Sequence, residues 1–166
     1  MTRSDDFDLA ALHQALDAQR EARGQSWADV IREINRGAAR AVASSTVSRL
    51  RTRQVAEADG VLQMLVWLGR TPESFVAGHR GDDAGAPLPA GPGGIQRFDT
   101  RGLHAALDAR RVERRLTWTQ LARDLGVGPS SLTGLARGGR TSFPQVMRMV
   151  RWLGEPAARF VRRSVR

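Results

Sequence analysis

The chain has 166 residues, a formal net charge of +9 and no cysteine, which suits one medium domain or two small ones and excludes disulfides and thiolate metal sites. No apolar run approaches the roughly 20 residues of a membrane span, and the acidic opening MTRSDDFD does not read as a signal peptide, so a cytoplasmic location is expected. All 26 basic residues are arginine, which excludes a Schiff-base lysine, a Walker lysine and a Ser–Lys dyad.

In chain order, the first predicted element is a helix over Leu9–Ala22, with Leu9, Leu12, Ala15 and Leu16 facing inward. Ser26 is placed to cap a second helix, Trp27–Asn35, whose stripe is Trp27, Val30, Ile31 and Ile34. A third helix is predicted over about 45–51, with Val47 and Leu50 inward, and a fourth over about 60–68, with Val61, Leu65 and Leu68 inward. Thr71-Pro72-Glu73 starts a fifth, with a cap, a proline in the first turn and an acid at the positive end of the helix dipole. Residues 77–97 are rich in Gly, Pro and Ala and have almost nothing to bury, so they read as a flexible linker. As a coil it spans about 25 Å.

Beyond the linker, Thr117 and Gln120 form a Thr-x-x-Gln capping box. Trp118, Leu121, Ala122 and Leu125 follow as a buried stripe, and Gly126 ends that helix. Pro129 opens the next helix, and Leu132 and Leu135 turn it back to the same core. A small residue at the crossing and a glycine at the corner are what two helices joined by a tight turn require.

The two halves repeat one another. Phe7–Trp27 aligns without a gap with Phe98–Trp118, Ser44–Leu50 with Pro129–Leu135, and Val61–Gly69 with Val146–Gly154. Two copies of one domain are therefore expected, 1–76 and 98–166, joined by the linker 77–97. No strand pattern competes, so the predicted class is all-α with five helices in each copy. The charge is uneven: residues 1–76 hold ten arginines against ten acids, whereas 98–166 hold fourteen against five and carry the whole excess.

The stretch Thr117–Leu135, through Leu121-Ala122, Leu125-Gly126-Val127 and Leu132, resembles the helix-turn-helix of the Cro/phage-repressor-like (Xre) family. The resemblance implies two tandem lambda-repressor-like domains in a bacterial or phage transcriptional regulator, a repressor, that binds double-stranded DNA. It implies that the exposed N-terminal half of each second motif helix lies in a major groove. In the second copy those positions include Ser130, Ser131 and Thr133, with Arg137 and Arg140 just past the helix. None of the short residues on the helix makes a bidentate base contact, and the two arginines are placed to meet phosphates, so this copy reads as a phosphate anchor. A solvated basic surface or a protein-docking face is the other reading of the same residues.

In the first copy the corresponding positions are Ser44, Ser45, Ser48 and Arg49, followed by Arg51 and Arg53. Arginine here is the commonest reader of guanine. The preceding turn is six residues longer and adds Arg36 and Arg40, and Ile31 stands where the second copy has Ala122. Scattered solvated charge is the bland alternative.

No enzyme, cofactor or metal is expected. His13 and His104 occupy equivalent repeat positions and suit helix packing or surface, His79 falls in the linker, and no His/Asp/Glu cluster has ligand spacing. Trp67, Trp152, Phe75 and Phe160 are expected in the core. A monomer carrying two unequal units is the expected state rather than an obligate homodimer. The alternative function is a protein-interaction or antitoxin-like regulator, whose second domain dimerises or docks on a partner.

Overall fold

The computed structural model describes residues 6–36, 40–53, 55–76, 85–89 and 94–165. Among the described residues the chain is mostly helical, with one small two-stranded sheet. Helix α1 (Leu9–Ala22) starts where the Asp8 carboxylate accepts the Ala11 N–H at 2.9 Å. Helix α2 (Trp27–Asn35) opens on a reciprocal box between Ser26 and Asp29. Helix α3 (Ser44–Arg49) is a short one, without a side-chain cap. Helix α4 (Ala58–Leu68) is capped by Glu57 and stopped by Gly69 at φ 66°, and a 3-10 turn, Pro72–Phe75, follows. The second half repeats that order: α5 (Thr100–Glu113), α6 (Trp118–Leu125), α7 (Pro129–Ala136), α8 (Phe143–Leu153) and a 3-10 turn, Ala157–Phe160.

The repeat extends to side-chain contacts. Arg20 lies over the Trp27 ring and Arg111 over Trp118, at 5.2 and 4.8 Å. Arg23 over Trp67 and Arg114 over Trp152 form the second such pair, at 5.0 and 4.7 Å. His13 and His104 rest on Trp27 and Trp118 respectively, which places both in helix packing.

Four expectations are corrected. The fifth helix of each half is only a four-residue 3-10 turn, because each chain must bend straight into an extended pairing, Phe7 with Val76 and Phe98 with Val161. The mostly helical structure is compatible with the all-α class, but it also holds a strand pairing that no sequence pattern announces: β1 (Gly94–Phe98) pairs antiparallel with β2 (Val161–Val165). Trp67 and Trp152 are half-buried at the core's edge rather than within it, whereas Phe75 and Phe160 are buried. The indole N–H of Trp67 needs a polar partner and donates to Glu33 Oε2 at 2.7 Å.

The fourth correction concerns the linker. Within 77–97, residues 77–84, which include His79, and 90–93 lie outside the described residues. The described part is not a free coil, since Leu88 packs on the core, Gln96 is buried and residues 94–97 form most of β1. Nor does the linker isolate the halves. Glu57 pairs antiparallel with Ser142, its own equivalent in the repeat. On either side, the Ala58 N–H donates to Thr141 O at 3.0 Å and the Phe143 N–H to Ala56 O at 2.8 Å. These are equivalent residues exchanging equivalent bonds, as a local two-fold axis requires.

Phe7 and Phe98 both pack on Phe143, with centroids 4.6 and 5.6 Å away, joining the halves in one core. The physical cause lies in α4 and α8. Val61, Leu62, Met64 and Leu65 are all buried on α4, as are Val146, Met147, Met149 and Val150 on α8. A helix apolar on more than one face needs more than one partner, and each finds the second in the other half.

Candidate nucleic-acid interface

The α6–α7 corner is built by local chemistry. Thr117 Oγ1 accepts the Gln120 N–H at 3.1 Å, and Gln120 Oε1 accepts the Thr117 N–H at 2.8 Å. Gly126 adopts φ 67°, which lets the Val127 N–H reach Ala122 O at 3.0 Å. Ala122 on α6 and Leu132 and Leu135 on α7 are buried, and the two helices are in contact. Ser130 and Thr133 are left exposed and Ser131 half-buried. The Thr133 hydroxyl donates to Pro129 O at 3.3 Å, so outward it offers only lone pairs. Arg137 caps α7 at its C-terminus, with its side chain exposed. The Gly139 N–H then closes on Gly134 O at 2.9 Å. A Cβ at 139 would stand 2.8 Å from that oxygen, so the approach that aims Arg140 outward requires glycine.

The first half reaches the same place by a different route. There the Asn35 amide ties the end of α2 to Val42, donating to Val42 O at 3.0 Å and accepting from Val42 N–H at 2.7 Å. Val42, Val47 and Leu50 are buried beneath α3. Ser44, Ser45, Ser48 and Arg49 are exposed along it, and Arg51 and Arg53 are exposed beyond it. The Ser48 hydroxyl donates to Ser45 O at 3.2 Å. Ile31 is half-buried where its counterpart Ala122 is fully buried.

Of the residues singled out from sequence, the structure brings Arg40 and Arg140 together, from opposite halves. Both line a cleft of about 630 Å³ and a smaller one of about 320 Å³. Arg36 stays apart at the C-terminal end of α2, near Glu33. Arg51 adds its charge beside His13, whose imidazole is lowered chiefly by burial. Neither α3 serines nor Ser130, Ser131 and Thr133 line the larger cleft.

The larger cleft also gathers Arg97, Arg101 and Arg162, which sequence reading passed over. The charge excess of the second half was a signal for Arg101 and Arg162 but not for Arg97, which falls in the linker, and Arg97 and Arg162 belong to strands that the sequence pattern does not announce. Asp59 sits in the same wall and accepts the Phe98 N–H at 2.9 Å. Burial pushes its carboxyl above the usual range, against that hydrogen bond.

No family model matches the chain, and no curated protein or solved structure matches it either. Among the described residues no helix is long and apolar enough to cross a membrane.

Proposed function

We propose that the chain is a sequence-specific, double-stranded-DNA-binding transcriptional regulator acting as a repressor in the cytoplasm. Its units would be two tandem lambda-repressor-like helix-turn-helix domains, 1–76 and 98–166. The observation that carries the reading is the division of faces on α3 and α7. Each buries a narrow apolar edge, Val47 on α3 and Leu132 with Leu135 on α7, and turns its short polar residues outward. That is the form of a helix that enters a major groove.

In this reading Arg49 reads a base edge, because an exposed arginine on such a helix can reach guanine O6 and N7 together. Ser44, Ser45 and Ser48 support it, while Arg36, Arg40, Arg51 and Arg53 meet phosphates. On the second half, Ser130, Ser131 and Thr133 make short-range contacts, and Arg137 and Arg140 anchor the backbone. A single chain then presents two unequal units related by a local two-fold, which suits an asymmetric site. Phosphate contacts position the protein and base contacts specify the sequence.

Selection of bound duplexes from a random library with the intact chain tests the reading. A recovered motif with two unequal halves is the expected outcome; retention of no duplex at low salt would sink it. A protein-interaction or antitoxin-like regulator is the second reading. It is favoured by α7, whose Thr133 hydroxyl is engaged by its own helix and which carries no bidentate side chain. A size-exclusion mass above one chain would support that alternative.

A further inference from the structure

We infer that the larger cleft between the halves is a binding site for a small organic phosphate of about nucleotide size. Its volume, about 630 Å³, falls within the range of roughly 300–1,000 Å³ typical of small-ligand pockets. Both halves and both strands contribute to its wall. Nothing in the DNA-binding reading requires it, and its occupancy is measurable without DNA.

The charges fit an anion. Five guanidinium groups, those of Arg40, Arg97, Arg101, Arg140 and Arg162, face three carboxylates. Those carboxylates are already engaged: Asp99 pairs with Arg162, Glu57 accepts the Gly60 N–H, and Asp59 accepts the Phe98 N–H. Arg40, Arg97, Arg101 and Arg140 make no close ion pair among the described residues, although Arg97 acts on the Asp59 carboxyl and Arg101 donates to Arg137 O at 3.4 Å. Arginine is the side chain suited to phosphate oxygens, because its fork of donors matches them in pairs.

The cleft also has a neutral polar component. Gln63 and Gln96 are buried in its lining, 7% and 4% exposed, and Gln63 Nε2 donates to Gln96 O at 3.2 Å. Gln96 Nε2 donates to Pro89 O. Gln96 Oε1 is buried and has no hydrogen-bond partner among the described residues. That acceptor is shielded from the open cleft as well as from solvent, so the ligand's polar contacts would fall on the guanidiniums. Guanidiniums for a phosphate, in a cleft of about 630 Å³ that a bare anion would leave mostly empty, describe an organic phosphate better than inorganic phosphate. Such a ligand would also occupy Arg40 and Arg140, which flank α3 and α7.

Titration calorimetry on the full chain tests this, with ribose 5-phosphate, adenosine 5′-monophosphate, adenosine and inorganic phosphate as probes. The organic phosphates should bind with Kd below about 1 mM, with adenosine silent and inorganic phosphate at least tenfold weaker. Arg97→Gln with Arg101→Gln, both exposed positions, should weaken the organic phosphates at least tenfold and leave the melting temperature unchanged. The site would be overturned if neither organic phosphate bound, if inorganic phosphate bound as tightly, or if the double variant bound like the parent. A parallel titration with a short DNA duplex separates the sources of phosphate. If the double variant lost duplex affinity while all small phosphates were silent, the cleft would be a seat for the DNA backbone and the inference would fail.

Discussion

The two halves share a scaffold and differ at their edges. Each holds the same arginine–tryptophan stacks and the same ion pair within its first helix, Asp17 with Arg20 and Asp108 with Arg111. Each carries the same bond from its lead-in to its last turn, Asp8 N–H to Phe75 O and Asp99 N–H to Phe160 O. At the seam the symmetry lapses. On one side Arg148 grips Asp6 through two bonds of 2.9 and 3.0 Å and also reaches Gly126 O. On the other, the equivalent positions are Gln63 and Arg97; there the Gln63 amide donates to a backbone carbonyl, that of Gln96, and the cleft opens. Groups that fix helix against helix are repeated because packing tolerates few alternatives. Groups at the rim are free to make one side a clasp and the other a cavity.

The strongest way to break this comparison is at the shared centre. Phe143 is fully buried and touches phenylalanines from both lead-ins. Phe143→Ala should cost about 3–5 kcal/mol, a large share of a domain's roughly 5–15 kcal/mol. In calorimetry the whole chain should melt earlier in one transition. A first half that melts unchanged would show the halves to be independent.

The clasp comes next. Asp6→Asn leaves the Arg148 guanidinium without its charged partner, and loss of a charge-assisted bond costs about 1.5–3 kcal/mol. Denaturant unfolding measures it; an unchanged midpoint would mean the clasp contributes nothing net. Arg49→Ala should then cost about 1–3 kcal/mol on the selected DNA site and relax preference at one base pair. Arg137→Ala with Arg140→Ala should weaken selected and random duplexes alike and flatten the salt dependence. Exchange of those two phenotypes would reverse the roles assigned to the halves.

The smallest expected effect concerns Glu33. The Trp67 N–H first, and the Gln25 amide next, hold its carboxyl below its ordinary value of 4.5. Its contribution is therefore complete above that pH and is lost as pH falls through the lowered value. Glu33→Gln should remove that part of the acid dependence, read as melting temperature between pH 5 and about pH 3. A variant whose acid profile matches the parent's would dismiss the bond as a source of stability.

The helices were legible wherever a local signal closed them. Leu9–Ala22, Trp27–Asn35 and Trp118–Leu125 occur at the expected residues, since Ser26, Thr117 and Gly126 act within one turn of their own position. Long-range pairing was not legible. Val161–Val165 reads as an unremarkable tail until Gly94–Phe98 lies beside it. The seam did leave a trace: the run Val61, Leu62, Met64, Leu65 is too apolar for a helix with one buried face. Helical spacing assigns it one stripe, Val61, Leu65 and Leu68, and leaves the second face without a partner. Of the interface residues, exposure on α3 and α7 followed from helical spacing. The meeting of Arg40 with Arg140 did not, because it depends on how the halves are clasped.

The antiparallel contact of Glu57 with Ser142 has a consequence for dosage. Two separate polypeptides must accumulate to the neighbourhood of their dissociation constant before they pair. Here the partners are one covalent chain, so pairing is unimolecular and set by an effective concentration rather than by abundance. The first molecule synthesised is already a complete pair, always one of each kind and never two alike. If the chain acts as the monomer proposed, its occupancy of a target should rise linearly with copy number at low dose, where a self-assembling dimer would rise with the square.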